Sequence, residues 1–232
     1  MSHHVHPYAH RLGTLRDWKS RWFADSGMYQ KYLKGDTLLR EYLVKRLRGM
    51  HVSDIEMERN DKTWKIVIKT ARPGLVIGRQ GEGATKLKAE LLSRLARWKI
   101  AVPKDFKIEI EEVRNPESNA AIVGQMVAEG LEKRLPFKRV IKQMLEKVMA
   151  NRDVKGARIE ISGRLGGADM ARREFVKAGN IPLQTIRADV DFAKEKAHMT
   201  YGVIGIQIWI YKGEVFAEKP TLRPHGTHAP RN

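Results

Sequence analysis

Between residues 37 and 114 the hydrophobic period changes in a fixed order, and that order constrains the fold more than any other feature. Leu39, Leu43 and Leu47 recur every fourth residue, on one face of a helix that Asp36 or Thr37 caps and Gly49 stops. Ile55 and Met57 then alternate with acidic neighbours. Trp64, Ile66 and Ile68 alternate with Lys65, Val67 and Lys69, and Asn60-Asp61 marks the turn between the two runs. A period of two belongs to strands, whose side chains point to opposite faces in turn. Leu75-Val76-Ile77 makes a short apolar turn. Leu87, Leu91, Leu95 and Trp98 form a second helical stripe, and Phe106, Ile108 and Ile110 a third strand. The predicted order is helix, strand, strand, short helix, loop, helix, strand.

The loop in that series is Gly78-Arg79-Gln80-Gly81. Two glycines three apart let backbone approach a phosphate where a side chain would collide. The helix that follows offers free N–H groups and the positive end of its dipole, and Arg79 adds charge. In a KH domain such a loop clamps the backbone of about four single-stranded nucleotides. An ordinary helix–turn–helix connection is the alternative for the loop alone. It is not a Walker A loop, which needs four residues between its glycines and Lys-Ser/Thr after the second. Gly81-Glu82-Gly83 does not extend to a dinucleotide fingerprint.

Charge narrows the partner. The 232 residues carry 44 Lys plus Arg against 27 Asp plus Glu, a net charge of +17. That surplus favours a polyanion. No long basic amphipathic helix with a bulky apolar face points to a membrane surface, and no apolar run reaches the length of a membrane span. Cysteine is absent, so disulfides, cysteine zinc sites and cysteine nucleophiles are excluded. Met1–Gly13 lacks the apolar core of a signal peptide. A soluble, cytoplasmic protein is expected.

Four segments are expected: a basic arm over 1–36, an RNA-binding domain over 37–114, a second α+β domain over 115–215 and a flexible tail over 216–232. The arm carries Tyr8, Trp18, Trp22, Phe23, Tyr29 and Tyr32. Packing of these rings is favoured over stacking on bases. Asn115-Pro116-Glu117 resembles a helix cap at a domain boundary. Helices are predicted over 117–134 and 137–150, with strands around Ala157–Ile161 and Val203–Tyr211. Residues 166–178 are ambiguous by periodicity.

Four longer stretches resemble the third protein of the small ribosomal subunit, as a family of bacterial type. They are Thr70–Glu82, Ile161–Arg172, Pro182–Asp191, and His198–Ile206 continued by Trp209–Glu214. Val5-His6-Pro7 and Arg11-Leu12-Gly13 match the family's opening. The resemblance implies a type II KH domain followed by two helices on a four-stranded sheet, which makes 171–178 a strand. It also implies a non-enzymatic role on the head of the small subunit. Ribosomal RNA would be bound there, with the tenth and fourteenth proteins as neighbours. Messenger RNA would meet it at an entrance channel shared with the fourth and fifth, where basic residues assist unwinding. Lys138, Arg139 and Lys142 fall on the family's entrance-channel positions, and the first is Arg in some relatives. His3, His4 and His10 depart from the usual opening, and the long basic tail of some relatives is nearly absent.

Other constellations admit two readings each. Lys133, Arg134, Lys138, Arg139 and Lys142 are either a solvated face or a phosphate contact, and the overall charge makes the second at least as good. Arg164, Arg172, Arg173 and Arg187 cradle phosphate around Ser162–Gly167, or that stretch is a structural bulge. Arg11 joins these as a ribosomal RNA contact. Asp189 and Asp191 are a Mg²⁺ or acid–base pair, or, more simply, salt links to arginines. The early histidines suit adventitious or RNA contacts better than a metal site. No cofactor or metal is expected. A free KH regulator of messenger or small RNA and a nuclease are the rival functions. The second domain disfavours the former and missing catalytic groups the latter.

Overall fold

The protein was analysed as a computed structural model, which describes residues 5–60, 62–103 and 105–216. The expectations for His3, His4 and the tail beyond Phe216 lie outside the described residues. The elements in order are α1 (Pro7–His10), β1 (Ser20–Arg21), α2 (Ser26–Arg46), β2 (Val52–Arg59), β3 (Thr63–Thr70), α3 (Pro73–Ile77) and α4 (Glu82–Arg97). They continue with β4 (Asp105–Glu112), α5 (Ala120–Glu132), α6 (Phe137–Ala150), β5 (Gly156–Gly163), β6 (Arg172–Gly179), β7 (Ala188–Met199) and β8 (Gly202–Glu214).

The first sheet has the order β1-β2-β3-β4, with β2 antiparallel to β3 and β3 parallel to β4. Met57, Trp64, Ile66, Ile68 and Phe106 point from it into a core shared with Leu39 and Leu43 of α2 and Leu87, Leu91 and Leu95 of α4. The alternation and the every-fourth leucines thus meet in one place. This is the predicted type II KH arrangement. The second sheet, β6-β5-β8-β7, is antiparallel throughout. Ile159, Ile161, Ile204, Ile206, Ile208 and Ile210 face α5 and α6. Residues 172–179 are a strand, as the resemblance implied.

Three local expectations are corrected. α2 starts at Ser26, not near Thr37, and Asp36 sits buried inside it instead of capping it. Its carboxylate accepts from the Trp22 indole at 2.7 Å and pairs with Arg59 at 3.3 Å. The Arg59 guanidinium is in turn stacked on Tyr32 and Trp64, at 4.2 and 3.6 Å from the ring centres. Burial raises the Asp36 pKa. The second-domain helix is capped by Asn119, whose side chain accepts from the Ala121 and Ile122 amides, while Pro116–Ser118 forms a 3₁₀ turn before it. Packing accounts for Trp22 and Tyr32, but Trp18 and Phe23 lie exposed.

The described part of the arm is docked within the molecule. Ser20 and Arg21 pair with Met57 and Glu58 as β1 on the KH sheet. Upstream, α1 packs on β7, and Arg16 pairs with Asp189 at 2.7 Å and Asp191 at 4.0 Å. The two aspartates are therefore salt-linked, the simpler of their two readings, and Asp191 also accepts from the Ala120 amide. One segment thereby ties both domains together. Direct contacts join the domains as well: Asn119 to Ser53 at 2.6 Å, Gln125 to the Val52 carbonyl at 2.8 Å, and His51 to Glu129 at 3.3 Å.

Candidate nucleic-acid interface

The glycine loop stands between α3 and α4. Gly78 has φ +72°, Gln80 +51° and Gly81 +82°, so three of its four residues occupy left-handed backbone. A Cβ on Gly78 would come within 2.9 Å of the Gly83 amide nitrogen, whereas one on Gly81 would meet nothing within 4 Å. Gly78 is thus needed for close approach and Gly81 for conformation. Gly83, set aside in the sequence as part of a failed dinucleotide motif, is the residue the reading missed. A Cβ there would lie 2.6 Å from the Val76 carbonyl oxygen. The turn of α4 can lie against α3 only because position 83 has no side chain. Arg79 and Gln80 stand exposed at the tip, and their side chains make no hydrogen bond or ion pair with any described residue. The loop therefore presents backbone, one free guanidinium and the start of α4 to solvent.

A second basic surface lies on α6. Val140, Ile141, Met144, Leu145 and Val148 are buried against the sheet, and the same 3.6-residue repeat turns Lys138, Arg139 and Lys142 outward. All three are exposed and have no ion pair among the described residues. Lys138 and Arg139 occupy the first turn, which contains no acidic residue. The helix dipole disfavours cations there by a few tenths of a kcal/mol each. A local arrangement that works against stability is a mark of a functional surface.

The four-arginine cradle does not form. Arg164 donates to the carbonyls of Ala168 and Tyr201 and holds its own turn. Arg172 and Arg173 point to opposite faces of β6. Arg172 pairs with Glu174 and lies 5.6 Å from the centre of the Phe137 ring, on the α6 side, and Arg173 pairs with the buried Glu160 on the other side. Arg187 pairs with Glu214 at the far end of the sheet, roughly 30 Å away along the strands. Arg11 is corrected outright. It is 0% exposed and its guanidinium donates to the carbonyls of Pro7, Pro182, Leu183, Thr185 and Ala188, leaving nothing for a phosphate.

Among the described residues no three His, Asp or Glu side chains gather as a metal site, and no helix is long and apolar enough to cross a membrane.

An exposed glycine loop on a KH fold, joined to a second domain with a cationic helix, defines an RNA-binding protein. Residues 38–118 match the family model described as KH domain, and residues 127–210 match Ribosomal protein S3, C-terminal domain. Small ribosomal subunit protein uS3 of Caldicellulosiruptor saccharolyticus is 44% identical over 97% of this chain and 99% of its own. The protein of the same name from Pseudomonas fluorescens is 44% identical over 100% of this chain and 98% of its own. The chain belongs to the uS3 family of ribosomal proteins.

Proposed function

We propose that the chain is a structural constituent of the small ribosomal subunit, that it binds ribosomal RNA in the head of that subunit, and that Lys138, Arg139 and Lys142 hold messenger RNA at its entrance. The observation that carries the messenger reading is the exposed, unpaired cationic first turn of α6. Cations at a channel mouth favour a separated strand by attracting its backbone without reading its sequence. No nucleotide hydrolysis is required. Gly78, Arg79, Gln80 and Gly81 contribute a backbone clamp for an RNA segment. Arg164, Arg172, Arg173 and Arg187 supply separate ribosomal RNA contacts, not one cradle. The neighbours in this reading are the tenth and fourteenth proteins of the subunit, with the fourth and fifth near the entrance, and the location is the cytoplasmic ribosome.

Two measurements test it. Tagged protein should sediment with small subunits at moderate salt at about one copy each; free protein at the top of the gradient would sink the ribosomal assignment. Ribosomes carrying K138A/R139A/K142A should step more slowly through stable hairpins while unstructured messenger is read at the normal rate. Equal slowing on both would reassign α6 to assembly or ribosomal RNA docking.

A further inference from the structure

The face of the C-terminal sheet turned away from α5 and α6 carries Arg173 and further cations that the separate arginine contacts leave unassigned. Strand register orders its side chains into rows. Arg173, Ser162, Gly205 and Lys196 form one row, and Phe175, Glu160, Gln207 and Lys194 the next. Lys177, Arg158, Trp209 and Phe192 form a third. The middle of the first row is low. A Cβ on Gly205 would already stand 3.2 Å from the Ser162 hydroxyl. The edge strands β6 and β7 carry Arg173, Lys177, Lys194 and Lys196, about 14 Å apart across three inter-strand gaps.

Charge on this face is one-sided. Arg158, Arg173, Lys177, Lys194 and Lys196 face a single carboxylate, Glu160, which is buried and held by Arg158 and Arg173. Lys177, Lys194 and Lys196 are exposed and have no ion pair among the described residues. Between the cations stand rings: Arg158 lies 4.5 Å from the centre of Phe175 and 5.1 Å from that of Trp209. Phe175 is 52% exposed, an open ring on a strand edge. At the other end the face is closed, where His6 meets Phe192 and Ile181 and Leu183 pack on Trp209 and Tyr211.

We propose that this open sheet face is a binding site for single-stranded RNA, with its backbone along the Ser162–Gly205 trough between the edge lysines and one base stacked on Phe175. A polyanion matches the charge, and an exposed ring beside a guanidinium offers a stacking platform to an unpaired base but not to a base inside a duplex. The inference deepens the RNA-binding reading and rests on it.

The test uses the full chain and a labelled oligouridylate of about 12 nucleotides, in a background of R79D/Q80D with K138A/R139A/K142A to silence the glycine loop and α6. Binding should persist in that background. Adding K177E/K194E/K196E should weaken it by roughly tenfold or more and flatten the log–log salt slope by about 2. F175A should weaken it by roughly tenfold and leave the slope unchanged, because stacking releases no counterions. Affinity within twofold of the background for both, at an unchanged melting temperature, overturns the proposal. So does equal or tighter binding of a duplex of the same length. If the reversal variant melts early, K177Q/K194Q/K196Q takes its place. Co-sedimentation of the same variants with small subunits reports on the ribosomal reading separately, since the oligonucleotide measurement needs no ribosome.

Discussion

The side chain of Arg11 donates from Nε to the carbonyl of Ala188 at 2.5 Å, joining residues 177 positions apart. Its other nitrogens reach four more carbonyls, three of them in the 182–185 turn. An arginine in an N-terminal arm thus closes the C-terminal domain from outside. R11A should cost about 3–5 kcal/mol in urea unfolding, since it strands buried carbonyls together with the cavity. RNA affinity per folded molecule should be unchanged. A loss of affinity without a loss of stability would restore Arg11 to the RNA surface.

Gly83 and Gly81 separate two reasons for a glycine. G83A should destabilise the KH core by about 2–3 kcal/mol, because a Cβ 2.6 Å from the Val76 oxygen drives α3 from α4. G81A meets open space and should cost only about 1 kcal/mol for its left-handed backbone. Equal costs by chemical denaturation would remove the packing role of Gly83.

R79D/Q80D should sharply weaken binding of the full chain to short single strands and leave circular dichroism unchanged. Both side chains are exposed and unpaired, so the fold has no stake in them, while two new carboxylates face the nucleotide backbone. Wild-type affinity should fall with salt at a log–log slope of roughly −4 to −5 for six phosphate contacts. A flat salt response would contradict an electrostatic interface.

K138A/R139A/K142A should be slightly more stable than wild type, by about 0.3–1 kcal/mol, because two cations leave the positive end of the α6 dipole. A rise in melting temperature alongside slower hairpin passage would place these residues where function opposes stability. A fall would mean that they support the fold.

His51 gives the domain junction a pH dependence. It is 1% exposed, and burial, with Arg72 and Lys133 nearby, lowers its pKa despite the opposing pull of Glu129. The unfolded chain therefore takes up a proton more readily than the folded one. Stability is complete above the unfolded value near 6.5 and falls as pH drops through it toward the lower folded value. Thermal melts at pH 7.5 and 5.5 should show a loss in wild type that H51Q reduces. An identical loss in both would assign it elsewhere.

Local rules reached the sheets and their cores because period and burial agree. Every alternating isoleucine of β5 and β8 lies on the α5/α6 side. The exposure of the α6 cations and of the glycine loop was legible for the same reason, since each is a contiguous run whose helix or turn fixes its direction. What escaped was set by distance in the chain. Nothing near Arg11 announces carbonyls beyond residue 180, and nothing near Gly83 announces Val76 as its limit. Arg172 and Arg173 are adjacent in sequence and were grouped, yet a strand sends neighbours to opposite faces. Asp36 read as a cap because its partner, Arg59, comes from a strand.

The double attachment of the arm also sets an order in time. Residues 7–21 are made long before Ala188 and Asp189, which receive Arg11 and Arg16. At the usual 5–20 residues per second, the N-terminal end waits roughly 10–35 s for its seat to exist. During that interval the KH sheet can recruit β1 from Ser20 and Arg21, since Met57 and Glu58 follow soon after. The start of the chain can then seat only after β7 has emerged, a step that a product truncated before Ala188 cannot complete.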